Sequence, residues 1–406
     1  MRFFVLCALL GAAIACADQS GPRVHETAAV SLVAEDLSTC ALTTSGAAYC
    51  WGADSVGQLG IGEIWTCISY PTCQPSSGKP HLMPVAVAGG HRFAALSGGG
   101  AFVCAATAEG QPWCWGERLF TQRYEDSVPT DVAASPPLTS ISAGAYHACG
   151  LTSSGKAYCW GENHLGQLGS GGTEAHATPV AVTGGLTFSS VTVGTVHTCG
   201  LTPQGVAYCW GDTSTGALGD GRDTLAATVT PTPVSGGLRF KSLSAGAGYS
   251  CGESMAGTGY CWGLNFTSEL GAGTSAASVA TPVAVSGGIR FASIATATTI
   301  TFFSTTCGLS ASGAAYCWGY NQYGQVGNPS ANAGGCDIPG PTCVSVPVAV
   351  AGGLSFATIS VGGTQVCGVT NGGAIYCWGG NAYGQLGDGT TTDSPLPQLV
   401  SGVTAP

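Results

Sequence analysis

The chain has 406 residues and a formal net charge of −10, with 45% hydrophobic and only 8% charged residues; an average globular chain is about a quarter charged. Its 11 lysines and arginines are scattered. Nucleic-acid binders neutralise phosphates with grouped basic side chains, so composition argues against DNA or RNA as a partner.

The first segment reads MRFFVLCALLGAAIACADQS. One arginine precedes an apolar run and then small residues, the pattern of an export signal and too short for a membrane span. We read residues 1–15 as the signal, 16–27 as a short tether and 28–406 as one domain. Ala13-Ile14-Ala15 before Cys16 suits ordinary secretion. The same residues resemble a bacterial lipobox, in which Cys16 is lipidated and becomes the mature N-terminus. Both readings stay open, with Cys16 as the lipidation candidate. The expected location is the cell envelope or the exterior, with membrane contact only through that lipid.

Further along, a unit repeats seven times. Cysteines recur ten positions apart: Cys40 with Cys50, Cys104 with Cys114, Cys149 with Cys159, Cys199 with Cys209, Cys251 with Cys261, Cys307 with Cys317 and Cys367 with Cys377. Glycine falls six after the first cysteine in every copy, an aromatic residue precedes the second, and Trp-Gly follows it. Residues facing each other in a hairpin have positions of constant sum. If Cys40 faces Cys50, then Leu42 faces Ala48, and Thr44, Ser45 and Gly46 form a three-residue loop. Such a loop needs one residue at positive φ, which glycine supplies without a Cβ clash. The geometry predicts a disulfide across each hairpin, worth about 2–3 kcal/mol for so small a loop.

Between hairpins lie two more strand-like runs. One is led by proline, as in Pro84-Val85-Ala86-Val87 and Pro179-Val180-Ala181-Val182; a second follows a Gly-Gly turn, as in Leu186-Thr187-Phe188. Four short strands per unit and seven units predict an all-β fold, a seven-bladed β-propeller of four-stranded blades. Taking each proline-led strand as the opening of the following unit leaves unit one without one. The C-terminal strand at about 397–400 is then expected to complete blade one and close the ring.

Gly57-Gln58-Leu59-Gly60, Gly166-Gln167-Leu168-Gly169 and Gly384-Gln385-Leu386-Gly387 follow Trp-Gly, with weaker copies at 216–219, 268–271 and 324–327. On these motifs the chain resembles the regulator of chromosome condensation repeat family, as an exported, bacterial-type member. His147 and His197 match a histidine often found just before the family's hairpin strand. The resemblance implies a seven-bladed propeller that works by binding macromolecules. Its known roles include nucleotide exchange on a small GTPase, light sensing through clustered tryptophans and secreted inhibition of β-lactamases. Hairpin disulfides and an export signal sit poorly with a nuclear or cytosolic exchange factor, and seven of the nine tryptophans belong to the structural string.

Four further cysteines make two short loops, Cys67 to Cys73 and Cys336 to Cys343, each ending in Pro-Thr-Cys. Disulfides at this density need an oxidising compartment. Zinc-type spacing with nearby histidines is missing, and no cofactor or metal is expected. A mature chain starting at Cys16 holds eighteen pairable cysteines and one over, which lipidation accounts for.

The repeated Tyr, Trp and Gly residues read as core, His147 and His197 as buried hydrogen-bonding residues, and Asn163, Asn265, Asn321 and Asn381 as turn caps. Function is expected where copies differ. Three places stand out: residues 63–79 of blade one, with Trp65 and Tyr70; the blade-two segment Arg118-Leu119-Phe120-Thr121-Gln122-Arg123-Tyr124; and residues 328–345 of blade six. Trp65, Tyr70, Arg118, Phe120, Arg123 and Tyr124 are the candidate partner-binding residues, since exposed aromatics and arginine dominate binding surfaces. No serine-hydrolase elbow, zincin motif or phosphate loop appears, so a non-enzymatic monomer that binds a protein is expected. The alternatives are an enzyme acting on envelope glycan or peptide in the central channel, a nucleotide-exchange regulator by family analogy, and a purely structural envelope component.

Overall fold

Each repeated cysteine pair closes a β-hairpin whose register follows from its glycine. In the first copy Cys40 faces Cys50 and Leu42 faces Ala48. The Thr43 amide donates to Ala47 O, and the Gly46 amide donates back to Thr43 O, both at 2.9 Å. Gly46 has φ +81°, and a Cβ there would stand 2.9 Å from Phe93 O, so position and conformation both require glycine. The other six hairpins share this register.

All seven disulfides form within their own copies, as expected from the sequence. Cys40 is bonded to Cys50, Cys104 to Cys114, Cys149 to Cys159, Cys199 to Cys209, Cys251 to Cys261, Cys307 to Cys317 and Cys367 to Cys377, with Cα separations of 4.0 to 4.1 Å. Cys336 is bonded to Cys343. The hairpin bridges are core, not surface. Cys50, Cys159, Cys209, Cys261, Cys317 and Cys377 are completely buried, and only Cys114 among the hairpin cysteines is partly exposed. They hold the blades together from within.

The computed structural model describes residues 29–62, 80–117, 125–299, 303–331, 334–336 and 342–402. They form seven antiparallel sheets, each from four strands consecutive in the chain; Gly334–Gly335 adds a fifth to the sixth sheet. Blade one comprises Ala29–Ala34, Ser38–Thr43, Ala48–Gly52 and His81–Ala86. The first strands of the other blades are Ala95–Gly99, Ser140–Ala143, Ser190–Val193, Phe240–Ala245, Phe291–Thr296 and Phe356–Val361. Each contacts the first strand of the next blade, and the last contacts the first, so these strands ring a central axis.

The sequence-based ring closure is corrected here. The proline-led strand belongs to the blade before it: Ala86 and Val85 of the first such strand pair with Tyr49 and Cys50. The C-terminal strand Ser394–Leu399 likewise pairs with Ile375–Gly379 in the seventh blade, not in blade one. The physical reason lies in proline itself, which lacks a backbone donor and suits an edge strand. These strands form the outer edge of every blade except where Gly334–Gly335 pairs outside the sixth, and proline there discourages pairing with a second chain. The Gly-Gly turn, with Gly89 and Gly90 both at positive φ, then carries the chain to the next blade.

The ring closes instead through hydrogen bonds between blades seven and one, among them Gly363 N to Glu35 O at 3.1 Å. Ala34 N donates to Ser360 Oγ at 2.9 Å, and Gln365 Nε2 donates to the carbonyls of Glu35 and Ser38. The Ser360 hydroxyl belongs to a girdle in which an inner-strand hydroxyl accepts the next blade's amide. Ser97 takes Ala143 N, Ser142 takes Val193 N, Thr192 takes Ala245 N and Ser244 takes Thr296 N.

Apolar cores fill the spaces between blades. In one of them Leu168, Phe188 and Trp210 pack with Leu151 and the Cys149–Cys159 bridge, the Phe188 and Trp210 rings lying 5.8 Å apart. The bridges of the other copies are packed in the same way: Cys209 lies with Phe240 and Trp262, Cys261 with Phe291 and Trp318, Cys317 with Phe356 and Trp378, and Cys377 with Trp51. Burying ~200 Å2 of indole contributes about 5 kcal/mol at ~25 cal/mol per Å2. The repeated tryptophans thus stabilise the blade interfaces.

Candidate functional site: the turn face

Strands alternate in direction, so the first-to-second and third-to-fourth connections all emerge on one face of the disk. The hairpin loops and the links between blades emerge on the other. Trp-Gly and the Gly-Gln-Leu-Gly turn place the third-to-fourth connections, and we call their side the turn face.

Each turn is held from within and from the next blade. Asn163 Oδ1 accepts Leu168 N at 2.9 Å, while its Nδ2 donates to the carbonyls of Gly172 and Glu174. Asn265 and Asn381 repeat this pattern, and Asn321 caps Val326 N. The final glycine is required: Gly60 has φ +66°, and a Cβ there would lie 2.7 Å from Trp115 Cδ1.

Across the interface, the indole N–H of the next hairpin donates to a turn carbonyl. Trp115 bonds Gln58 O, Trp210 bonds Gln167 O, Trp262 bonds Ala217 O, Trp318 bonds Glu269 O, Trp378 bonds Gln325 O and Trp51 bonds Gln385 O, all at 2.8 to 3.0 Å. In four interfaces a hydroxyl joins the same carbonyl: Thr198, Ser250, Thr306 and Thr39.

Two of those hydroxyls receive the histidines. His147 Nε2 lies 2.7 Å from Thr198 Oγ1, and His197 Nε2 lies 2.8 Å from Ser250 Oγ. Each hydroxyl gives its proton to the turn carbonyl, so each imidazole donates from Nε2, and Nδ1 has no partner. Burial lowers the His147 pKa to about 3, with His197 adding to the effect. Burial lowers His197 to about 4, against a smaller opposing pull from Asp212. Both are neutral structural residues, in agreement with the sequence reading.

The interface between blades two and three departs from this pattern. Trp160 has no turn carbonyl to meet among the described residues. A cavity of about 280 Å3 lies there, bounded by Phe102, Trp115, Val132 and Trp160, with Glu117 and Asp126 at its edge.

A second departure crosses the central axis. Phe188 and Cys199 are eleven positions apart, as are Phe240 and Cys251, but Phe291 and Cys307 are sixteen apart. The longer connection of blade six reaches blades that are not its neighbours. Gly100 N of blade two donates to Thr298 O at 2.9 Å, and Thr195 Oγ1 of blade four donates to Thr299 O at 2.7 Å. Chain therefore spans the mouth of the channel on the turn face.

Blade six also brings aromatic rings to this face. Phe303 stacks on Tyr320 with centroids 5.5 Å apart, and Tyr323 meets Tyr320 edge-on at 6.2 Å. Burial, with Tyr323 beside it, pushes the Tyr320 hydroxyl up to about 12. Ser304 N donates to Thr267 Oγ1 of blade five, which ties the blade-six connection to the turn that carries Phe266. Phe266, Phe303, Tyr323 and, on blade seven, Tyr383 are 37 to 42% exposed.

Charge divides between the faces. Arg92, Lys156, Arg239, Lys241 and Arg290 lie toward the hairpin face, where Arg92 donates to Ser45 Oγ and Arg239 to Gln204 O. On the turn face Arg222 is the sole lysine or arginine among the described residues, and it is paired with Asp220. The turn face carries Glu117, Glu162, Glu174, Asp223, Asp388 and Asp393, none of them buried.

This turn-and-latch architecture recurs among known proteins. Models of the regulator of chromosome condensation (RCC1) repeat match residues 45–97, 154–201 and 372–405, and also 138–167 and 303–325. The chain carries regulator of chromosome condensation repeats over those residues. Among curated proteins, this repeat propeller is 30% identical over 173 residues to the ultraviolet-B receptor UVR8 of Arabidopsis thaliana, covering 41% of this chain and 36% of the receptor. It is 35% identical over 97 residues to the E3 ubiquitin-protein ligase HERC2 of Homo sapiens, covering 23% of this chain and 2% of the ligase. The chain thus spans only a minor part of these relatives. Among solved structures, Prp20p of Saccharomyces cerevisiae aligns with TM-score 0.73 and 21% identity, covering 89% of this chain and 87% of that one. Human WBSCR16 aligns with TM-score 0.72 and 20% identity, covering 87% and 94%. These likenesses establish the shared fold.

The partner-binding candidates Trp65, Tyr70, Arg118, Phe120, Arg123 and Tyr124 lie outside the described residues, as do Cys67, Cys73 and Cys16. The sequence reading missed the aromatic row on blades five to seven. The five-residue excess between Phe291 and Cys307 was the available signal for its centre. The division of charge had no signal in a linear count, because it depends on which connections share a face.

Proposed function

We propose that this repeat propeller is an exported scaffold that binds a protein partner through the turn face. The observation that carries the reading is the contrast between framework and variation. The hairpins, latches and turns are near copies, while exposed aromatic residues and the longest connections gather on one face, the distribution expected of a rigid display scaffold. Prp20p, which shares the fold, is described with binding properties to Gsp1p and histones. Trp65, Tyr70, Arg118, Phe120, Arg123 and Tyr124 belong to third-to-fourth connections by sequence and enter the proposal on that ground.

Export is supported by eight disulfides in the described residues, since such bonds persist in oxidising compartments, and by the sequence of residues 1–20. A lipid on Cys16 and placement at the envelope are part of the same proposal. The connection that crosses the channel mouth weighs against the alternative of chemistry in the channel, because it obstructs entry from the turn face. Nucleotide exchange rests on family analogy alone.

Crosslinking in intact cells, followed by identification of what attaches, tests the reading. A protein joined to turn-face residues is expected. Attachment through the hairpin face alone would overturn it, and the mass of the mature N-terminus decides between lipid and plain secretion.

A further inference from the structure

We infer that the partner's docking surface is basic and apolar together, and that it seats on the aromatic row Phe266–Phe303–Tyr320–Tyr323 of blades five and six. This rests on the protein-binding reading above and specifies the partner's chemistry.

Three observations converge. The rings of blade six adjoin the blade-five turn that carries Phe266, because the Ser304–Thr267 hydrogen bond locks the connection to that turn. Its rings are pre-positioned: Tyr320 is 9% exposed and acts as the base on which Phe303 stacks and against which Tyr323 stands. Rings fixed before contact lose little conformational entropy on binding. The third observation is the field around them. The one described guanidinium on this face, Arg222, is already paired with Asp220, while unburied carboxylates flank the rings on blade four, at Asp223, and on blade seven, at Asp388 and Asp393, with Glu117, Glu162 and Glu174 farther round.

By sequence, the third-to-fourth connections outside the described residues hold two acids, Glu63 and Asp337, against Lys79, Arg118 and Arg123, a basic excess smaller than the excess of acids among the described residues of this face. An electronegative face with exposed aromatic rings attracts lysine and arginine twice over, by the summed field and by the ring quadrupoles. It repels an acidic surface at contact distance. Toward the opposite face five basic residues outnumber Glu109, Asp131 and Glu253, the last paired with Lys241, so the disk is electrically two-sided and a basic partner is also oriented before it touches.

The test uses the purified, oxidised full chain. Fluorescence anisotropy is read with a labelled peptide of alternating lysine and leucine, and with a glutamate–leucine counterpart. The lysine peptide is expected to bind at least about tenfold more tightly, and to weaken by about tenfold between ~0.05 M and ~0.5 M salt. The double variant Phe303→Ala/Tyr323→Ala is expected to weaken it by about tenfold. Met255→Ser on the hairpin face should leave binding unchanged. Both altered rings are well exposed, and an unshifted melting temperature checks that the variant folds. Equal binding of the two peptides, or wild-type affinity in the double variant, overturns the inference. Binding of a neutral oligosaccharide in place of the lysine peptide overturns it too. A protein crosslinked to the turn face in cells, but captured equally by the double variant, defeats this inference and leaves the broader reading standing.

Discussion

Trp51 Nε1 donates to the backbone carbonyl of Gln385, 3.0 Å away and 334 positions along the chain. This bond is the seam of the ring, and it is the same bond that joins successive blades elsewhere. The ring therefore closes with its ordinary interface rather than with an exchanged strand.

The seam predicts unequal costs for one substitution. Trp51→Phe and Trp160→Phe both shorten a buried ring, but among the described residues only the first removes an indole hydrogen bond. Trp51→Phe is expected to cost about 1 kcal/mol more than Trp160→Phe, read from urea unfolding midpoints. Equal costs would mean that the carbonyl contact contributes nothing.

The histidines predict acid lability. Their folded pKa values, about 3 for His147 and about 4 for His197, lie below the ordinary 6.5. The unfolded chain thus binds more protons than the folded one in that window. Stability is full above about pH 6.5 and falls as pH drops toward 3. His147→Gln keeps a donor for Thr198, as Gln365 does for the blade-one carbonyls. The variant should lose less stability than the wild type between pH 6.5 and pH 4.5, by about 2 kcal/mol. Parallel stability-against-pH curves would contradict the buried neutral imidazole.

Glu269 predicts the opposite slope. It occupies the turn position held by Gln58, Gln167, Gln325 and Gln385, and its carboxyl accepts Thr267 N and Thr267 Oγ1. Burial raises its pKa from 4.5 to about 7, with the Thr267 hydrogen bonds opposing. The folded state then holds the extra proton, so stability is full below about pH 4.5 and declines as pH rises to about 7. Glu269→Gln, which keeps an acceptor for Thr267 N, should gain on the order of 2 kcal/mol at pH 8 and little at pH 4. Thermal melts at the two pH values check this.

Each hairpin bridge predicts a local and measurable loss. Cys149→Ala/Cys159→Ala should cost about 2–3 kcal/mol, the loop-closure value for so short a loop, with the fold intact by circular dichroism. Non-reducing peptide maps should show every such bond within its own copy, Cys209 with Cys199 and Cys377 with Cys367 among them.

Much of the fold was legible in the sequence because a hairpin is a local object. Gly46 fixes the loop, the loop fixes the register, and the register brings Cys40 to Cys50. The closure was not, because proline says only that a strand lacks a donor. Pro84 marks an edge strand of the blade before it, and nothing local separates that from an opening strand of the blade after it. The latch of Thr198, Gln167 and Trp210 joins residues that only the ring brings together. The row from Phe266 to Tyr323 was partly visible in the excess length before Cys307, but its rings became a surface only once alternate connections were placed on one face.

The most direct measurement places a photo-crosslinking residue at one site on each face, Tyr323 and Met255, in the intact chain within its own cells. Crosslinking from position 323 to a protein rich in lysine and arginine at the point of attachment is the predicted result. Capture from position 255 with none from 323 would contradict the account.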